Sequence, residues 1–253
     1  MLRLRILTAV IAIPIFLVAA YYGGLYLKVL VGLLMFLGYF ELTKMFLKKN
    51  IKMFLPLAAV LLILTLSNFF TSEILPYMFF GTMGIFYILK HREYELLDLI
   101  YSLFGLFYVY FFSFIAQLRQ FGFDLFLYYF LIIWANDTFA YFVGKIMGKH
   151  KIAPNLSPKK SMEGAIGGIV GALIIGYLGK YWLNGFTLSL LPGVLITAVV
   201  AQIGDFLESA IKRFAGVKDS GEILPGHGGI LDRFDGVLLS APFFYYYFNI
   251  FTR

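Results

Sequence analysis

Residues 96–116 read LLDLIYSLFGLFYVYFFSFIA, a run of 21 residues that holds one charged side chain, Asp98. The hydrocarbon core of a bilayer is about 30 Å thick, and roughly 20 apolar residues cross it as an α-helix. The rest of the chain has a similar character, since 61% of its 253 residues are hydrophobic, 14% are charged and the mean hydropathy is +0.85. An ordinary soluble domain is about 45–50% apolar and about 25% charged. A soluble globule is therefore excluded.

Apolar runs of this kind recur and predict an all-α fold, a polytopic integral membrane bundle of about nine transmembrane helices. We place the spans at residues 6–22, 25–40, 53–70, 74–89, 96–116, 125–143, 165–178, 188–206 and 237–251. The second, fourth and seventh are short, so tilted or re-entrant segments stay open as alternatives. We expect a single membrane domain over residues 1–253, with packing and lipid-facing spans in 1–124 and catalytic spans and cytoplasmic loops in 125–253.

The basic residues are shared unequally between the two ends of the predicted spans. Alternating the connections puts 17 of the 21 Lys and Arg residues on one side and leaves Lys28, Arg119, Lys180 and Arg253 on the other. Since Lys and Arg concentrate in cytoplasmic loops, the N-terminus is expected in the cytoplasm of a multi-pass cell-membrane protein. The net charge of +7 then reflects membrane orientation, and we expect no nucleic-acid partner.

Several kinds of site are excluded by residue content and spacing. The chain has no cysteine, which removes disulfides, thiolate nucleophiles and sulfur-ligated metals. Its three histidines, His91, His150 and His227, are too far apart for an HExxH zinc site. The segment GKIMGKH at residues 144–150 lacks the spacing and the hydroxyl of a Walker loop.

Carboxylates lie within or at the end of predicted spans in the second half of the chain. Asp137 follows Asn136 inside an apolar run, where a carboxylate is costly and is by default a functional candidate. Asp205 ends a later span, and if that helix continues, Asp205, Glu208 and Lys212 share one face. A helix-packing hydrogen bond at Asp137 and a salt-bridged stripe along the later helix are the structural alternatives.

Glycine-rich polar segments follow and read KDSG from Lys218, PGHGG from Pro225 and DRFDG from Asp232. Glycines let the backbone approach a ligand and let its N–H groups point at an anion. Asp232 and Asp235 are three residues apart at the start of the last helix, so we expect both carboxylates on one face. Oxygen ligands beside a phosphate-binding loop are typical of Mg²⁺ sites.

A third polar segment, SPKKSMEG from Ser157, precedes the seventh predicted span. Lysines and hydroxyls at a helix start fit phosphate binding, whereas Ser161 as a helix cap is the alternative. Gly164, Gly168 and Gly171 follow with small-residue spacing, which favours close packing against a neighbouring helix.

The 27 residues from Ser209 to Asp235 also resemble a known signature. They read SAIKRFAGVKDSGEILPGHGGILDRFD, which is similar to the signature of the CDP-diacylglycerol synthases, also called phosphatidate cytidylyltransferases. The segment from Ser157 to Gly164 and the residues around Asp137 are similar to the same family, so the resemblance covers roughly residues 130 to 240.

The resemblance implies a nucleotidyltransferase of phospholipid biosynthesis at the cytoplasmic membrane face. It would join CTP to phosphatidic acid in the bilayer with Mg²⁺ and release CDP-diacylglycerol and pyrophosphate. Metal ligation is expected from Asp205, Asp232 and Asp235. The further catalytic residues are expected to be Lys212, Arg213, Lys218 and Asp219. Substrate contacts are expected from Asp137, Ser157, Lys160, Ser161, His227, Gly228 and Gly229.

Several points stay open at the level of sequence. Asp137 and Asp219 fit either metal or cytidine, a second cation is an alternative, and a homodimer through helix packing is another. A CTP-dependent polyisoprenol kinase would carry similar loops but release CDP. A transporter would use Asp137 and Asp205 as an ion path, yet it has no evident use for the long polar loop on one face.

Overall fold

The computed structural model describes residues 2–66, 74–183 and 186–251. Within these ranges the chain forms ten α-helices and no β-strand, apart from two isolated bridges, which confirms the predicted all-α class. The helices are α1 Leu2–Tyr22, α2 Gly24–Leu47, α3 Leu55–Leu66, α4 Leu75–Lys90, α5 Leu96–Tyr110, α6 Ser113–Leu118, α7 Phe123–Met147, α8 Met162–Leu178, α9 Leu190–Phe214 and α10 Leu231–Phe251.

Five of the described helical segments are long and apolar enough to cross a membrane. They are Gly24–Leu47, Leu96–Phe121, Phe123–Met147, Met162–Tyr181 and Leu190–Phe214. The chain is therefore a multi-pass membrane protein, as predicted. The count of nine spans stays a prediction, because three further apolar helices are shorter, at Thr8–Tyr22, Leu55–Leu64 and Tyr77–Lys90. The predicted span 53–70 also runs past residue 66, outside the described residues.

The chain clusters into two compact units, neither of them continuous in sequence. The first comprises Met1–Ala116 and Lys212–Arg233, and the second comprises Gln117–Ile211 and Phe234–Arg253. The single domain predicted over 1–253 and its division near residue 124 stay predictions.

The first unit packs α2 against α5 around a buried aromatic and aliphatic core that includes Tyr39, Phe46 and Leu106. Gly105 of α5 permits this approach, since a Cβ there would lie 3.2 Å from the ring of Tyr39. The buried Asp98 fastens the chain before α3 and α5. Its two carboxylate oxygens accept hydrogen bonds from the backbone N–H of Lys52 at 2.6 Å and of Glu95 at 2.8 Å.

The second unit depends on close contact between α7 and α8. A Cβ on Gly164 would lie 2.8 Å from the carbonyl oxygen of Ala140, and one on Gly168 would lie 2.7 Å from that of Asn136. Both distances are below the contact limit of a real Cβ atom, so only glycine permits this backbone approach. The predicted use of these glycines for helix packing is thereby confirmed.

Replacing Gly168 by alanine is expected to lower the stability of the folded protein. The added Cβ would press on the backbone of α7, and overpacking of this kind costs about 1–3 kcal/mol. Gly84→Ala is the matched control, because the space around Gly84 in α4 is open. The melting temperature of both variants in the same detergent measures the difference. Equal melting temperatures would contradict the close contact.

Candidate active site

A cavity of about 690 Å³ opens in the second unit, a size typical of small-molecule sites. Its walls come from the second half of α7, the segment that connects α7 to α8, the start of α8 and the middle of α9. Two predicted site residues, Asp137 and Asp205, reach it from α7 and α9, and Lys160 and Ser161 reach it from the connecting segment.

The charges around this cavity favour an anionic ligand. Four lysines line it against two aspartates, and these six residues are Lys145, Lys151, Lys159, Lys160, Asp137 and Asp205. Phosphate groups suit such a lining, because a lysine ammonium binds phosphate as a point charge. The two aspartates can bind a cation or accept hydrogen bonds from donor groups of the same ligand.

Lys160 and Asp205 form an ion pair at this cavity, and both side chains are half-buried. The Lys160 ammonium also lies 4.2 Å from the centroid of the Phe206 ring, which stabilises a cation. Helix α9 continues to Phe214, as the shared face of Asp205 and Lys212 requires. Asp205 nevertheless pairs with a lysine outside its own helix, so the alternative of a salt-bridged stripe along α9 does not account for it.

Asp235 and Glu208 add two carboxylates to the same unit. Asp235 is close enough to Asp205, Glu208 and Asp137 for their charges to repel one another. Its Oδ1 accepts a hydrogen bond of 2.8 Å from the backbone N–H of Gly236, and the Glu208 side chain is almost wholly buried. Like charges gathered in low dielectric are costly unless a cation or protons neutralise them.

These carboxylates fit Mg²⁺ by the chemistry of their oxygens. Among the described residues, no three His, Cys, Asp or Glu side chains converge closely enough to hold a metal by themselves. Mg²⁺ is usually held by one or two carboxylates together with substrate phosphates and water. The donor set of the second unit therefore suits a magnesium ion that arrives with a phosphate ligand.

The segment before α8 is used partly as a helix cap. Ser161 is buried, and its Oγ accepts a hydrogen bond of 3.2 Å from the backbone N–H of Gly164. The capping alternative is thus observed for Ser161, which also lines the cavity. Ser157 lies in a turn, where its N–H donates to the carbonyl of Ala153 at 2.9 Å.

The glycine-rich loop of the first unit comprises residues 218–230, before α10. It contains a tight turn at residues 224–229, the glycine turn. The backbone N–H of Leu224 donates to the carbonyl of Gly228 at 2.9 Å, and the N–H of His227 donates to the carbonyl of Leu224 at 2.8 Å. Gly226 and Gly228 have φ of 76° and 86°, a conformation that favours glycine. A Cβ on Gly228 would also lie 2.7 Å from an Asp232 oxygen.

Asp232 lies in the first turn of α10, accepts hydrogen bonds from that loop and is paired with a cation. Its Oδ1 accepts a hydrogen bond of 2.7 Å from the Lys212 ammonium, and both side chains are nearly buried. Its Oδ2 accepts 2.8 Å bonds from the backbone N–H groups of Ser220 and Gly229. Asp232 therefore contacts the glycine turn, whereas Asp235, which was expected on the same face, lies among the carboxylates of the second unit.

The remaining predicted residues of the first unit lie at its surface. Lys218, Asp219 and Arg213 are exposed, and an Arg213 nitrogen donates to the carbonyl of Val217 at 2.9 Å. Charged groups on such a loop are accessible to a ligand from solution.

Two residues that contact the cavity or the glycine-rich loop were not predicted from the sequence. Gln202 donates 2.9 Å hydrogen bonds to the Asn136 side chain and to the carbonyl of Ala165, and it lines the cavity. Glu41 of α2 is buried and accepts hydrogen bonds from the glycine-rich loop. The sequence does hold one signal for Glu41, an acidic residue directly after an apolar run, but the predicted span ended at Phe40 and did not include Glu41.

Comparison with known proteins gives a consistent result over nearly the whole chain. The sequence profile of the cytidylyltransferase family matches residues 3–251. A phosphatidate cytidylyltransferase of Staphylococcus aureus (strain COL) is 38% identical over 252 residues, covering 95% of this chain and 96% of that protein. The protein of that name from Bacillus subtilis (strain 168) is 36% identical over 269 residues, covering 99% of each chain. One from Staphylococcus haemolyticus is 36% identical over 254 residues, covering 95% of this chain and 96% of that protein.

Proposed function

Because this chain belongs to the cytidylyltransferase family, we propose that it makes CDP-diacylglycerol by Mg²⁺-dependent, in-line cytidylyl transfer at the cytoplasmic membrane face. Its activity is that of a phosphatidate cytidylyltransferase, a nucleotidyltransferase that joins CTP to phosphatidic acid. The observation that carries the assignment of the site is the lysine-lined cavity, in which Asp137 and Asp205 stand among four lysines.

The reaction exchanges one phosphorus–oxygen bond for another. A phosphate oxygen of phosphatidic acid attacks the α-phosphorus of CTP, and the bond between that phosphorus and the bridging oxygen to the β-phosphate breaks. Pyrophosphate leaves with the bonding electron pair. Since the attacking oxygen is already anionic, the protein has no need of a strong general base. Its task is to position the two phosphates and to neutralise the charge on them.

The second unit supplies the cations and hydroxyls that we assign to the substrate phosphates. Lys160 would exchange its contact with Asp205 for a phosphate oxygen, and the three other lysines of the cavity raise the local positive potential. Ser157 and Ser161 belong to the same segment, with Ser161 fixing the start of α8. Asp137 is assigned to the cytidine or to the metal.

The carboxylates Asp205 and Asp235 would hold the Mg²⁺ ion. When bound, such an ion withdraws charge from the phosphate oxygens and so eases attack at the α-phosphorus. Asp232 is proposed as a third ligand, for which it would have to exchange its contact with Lys212. A second cation in this place also stays a proposal.

The first unit supplies a loop whose backbone and side chains suit the nucleotide. Gly228 and Gly229 present a tight turn without side chains, and His227 lies within it. Lys212, released from Asp232, and the exposed Arg213 and Lys218 would bind phosphate oxygens, with Asp219 beside them. Loss of any one of these cations is expected to raise the concentration of CTP that the enzyme needs.

A transfer assay tests the reaction and its metal requirement together. We expect the purified protein, given α-labelled CTP, phosphatidic acid and Mg²⁺, to place the label in the lipid phase. Chelation of Mg²⁺ should abolish the transfer. Label recovered wholly in CDP would indicate a kinase, and no conversion of CTP would contradict both enzymatic functions.

Asp205→Asn is expected to lower turnover at least about 100-fold, a barrier increase of roughly 2.7 kcal/mol, because the amide cannot supply the charge that holds Mg²⁺. The control is Asp124→Asn, which removes an exposed carboxylate of α7 in the same unit, outside the cavity. Turnover and melting temperature are measured at several Mg²⁺ concentrations. A metal role predicts a changed Mg²⁺ dependence, and near-normal turnover would remove Asp205 from the metal ligands.

The proposed membrane face makes a separate prediction. Because the chain has no cysteine, single cysteines can be introduced at Lys159, Lys218 and Lys180 without further changes. A membrane-impermeant thiol reagent should reach the first two from the cytoplasmic side and the third from the outer side. Labelling of Lys159→Cys and Lys218→Cys from opposite sides would be incompatible with a reaction at one face.

A homodimer through exposed helix faces is a further proposal.

A further inference from the structure

Glu41 is a buried carboxylate of α2 that is bonded to the glycine-rich loop, far from it in sequence. Only 1% of its surface is exposed. Its Oε1 accepts a 2.8 Å hydrogen bond from the backbone N–H of Ile230, and its Oε2 accepts one of 3.0 Å from that of Leu231. The hydroxyl of Ser220 donates to the same Oε2 at 2.9 Å. One carboxylate thus holds both the beginning and the end of the loop.

The glycines of the loop show how closely it passes this carboxylate. A Cβ added to Gly221 would lie 2.8 Å from Oε1 of Glu41, and one added to Gly229 would lie 2.5 Å from each of its oxygens. Neither position can carry a side chain while Glu41 keeps its place. The need for glycine therefore follows from Glu41 at Gly221, and from Glu41 together with the still closer Ser220 hydroxyl at Gly229.

The three hydrogen bonds also explain how a carboxylate is tolerated in this apolar surrounding. Burying an ionised group is costly unless donors satisfy it, and bonds to a charged acceptor are about twice as strong as neutral ones. Ile230 and Leu231 stand at the start of α10, where backbone N–H groups have no partner within the helix. Glu41 supplies that partner, and its negative charge is favourable at a helix N-terminus.

Ser220 connects Glu41 with Asp232. Its Oγ lies 2.9 Å from Oε2 of Glu41 and 3.0 Å from Oδ2 of Asp232, while its backbone N–H donates to Asp232 at 2.8 Å. A hydroxyl has one proton, so Ser220 donates to one of the two carboxylates at a time, and it lies within hydrogen-bond distance of both. Asp232 in turn holds the Lys212 ammonium. Displacement of Glu41 would therefore move the pair that we assign to the metal and the phosphates.

We propose that Glu41 is a positioning residue for cytidylyl transfer, which fixes the glycine-rich loop and, through Ser220, the placement of Asp232 and Lys212. The effect on turnover rests on the proposed function, whereas the effect on the loop does not. Glu41 touches neither substrate nor metal in this assignment, and it acts through the loop that it binds.

The test compares Glu41→Gln with Asp98→Asn in the full-length protein. Each variant replaces a buried carboxylate by an amide of the same size within the first unit, but Asp98 is bonded to Lys52 and Glu95 and not to the loop. In Glu41→Gln one of the three donors would face an amide NH₂ group. We expect turnover per folded protein to fall at least about 10-fold in this variant and to stay within about twofold of wild type in Asp98→Asn.

Hydrogen–deuterium exchange supplies a readout that does not depend on the reaction. The backbone N–H groups of Ile230 and Leu231 should exchange at least about 10-fold faster in Glu41→Gln than in wild type. In Asp98→Asn their exchange rates should equal those of wild type. If the wild-type protein transfers no cytidylyl group, the proposed function fails while this measurement still decides whether Glu41 fixes the loop. Unchanged exchange at both amides would overturn the proposal.

Ser220→Ala provides a second variant that leaves Glu41 and its two backbone donors in place. It removes the hydroxyl that links Glu41 to Asp232, so turnover should fall in the same direction. The double variant Glu41→Gln/Ser220→Ala should lose less than the product of the two single losses, because both residues act through one network. Strictly multiplicative losses, or normal turnover with only a lowered melting temperature in Glu41→Gln, would reduce Glu41 to a structural role.

Discussion

Charge buried in an apolar chain has to be neutralised, and the ion pair between Lys212 and Asp232 meets this demand at the start of α10. Both side chains are nearly buried, and the carboxylate also accepts two backbone hydrogen bonds from the loop. Removing one partner of such a pair costs about 3–5 kcal/mol, since the other charge is then stranded. The loop conformation and the first turn of α10 therefore depend on this pair.

The second unit meets the same demand differently. Lys160 pairs with Asp205 at an open cavity, and both remain partly accessible. The side chains of Lys160 and Asp205 are 26% and 36% exposed, and the Lys160 nitrogen itself is buried, so this pair borders the cavity without being fully screened by water. The two ion pairs thus differ in their surroundings: the Asp232 carboxylate of the first pair is bonded to the loop backbone, whereas the second pair lines the cavity in which a ligand would bind.

The parts of the structure that sequence could predict are those governed by local pattern. Apolar runs predicted the helices, and the spacing of Gly164 and Gly168 predicted the close contact of α7 and α8. The contact of Asp232 with the backbone of Gly229 is likewise local, because the two residues are three positions apart. The link between Glu41 and Ser220 spans 179 positions and has no local signature, so no pattern predicts it. The count of nine spans stays a prediction, because three of the apolar helices are only 10–17 residues long within the described part of the chain, and roughly 20 residues cross a bilayer.

The crowding of carboxylates against the loop backbone limits how this segment can change over evolution. A methyl group at Gly221 or Gly229 would meet Glu41, and one at Gly228 would meet Asp232. A substitution at Gly221 therefore requires Glu41 to be displaced, and one at Gly229 requires Glu41 and Ser220 to be displaced together. One at Gly228 requires Asp232 to be displaced and also strains the backbone, because φ there is 86°. Such paired changes would have to pass through an intermediate with a displaced acid, so α2 and the loop are expected to vary together or hardly at all. A chimera that takes its first spans from one relative and its loop from another would have to match them at position 41.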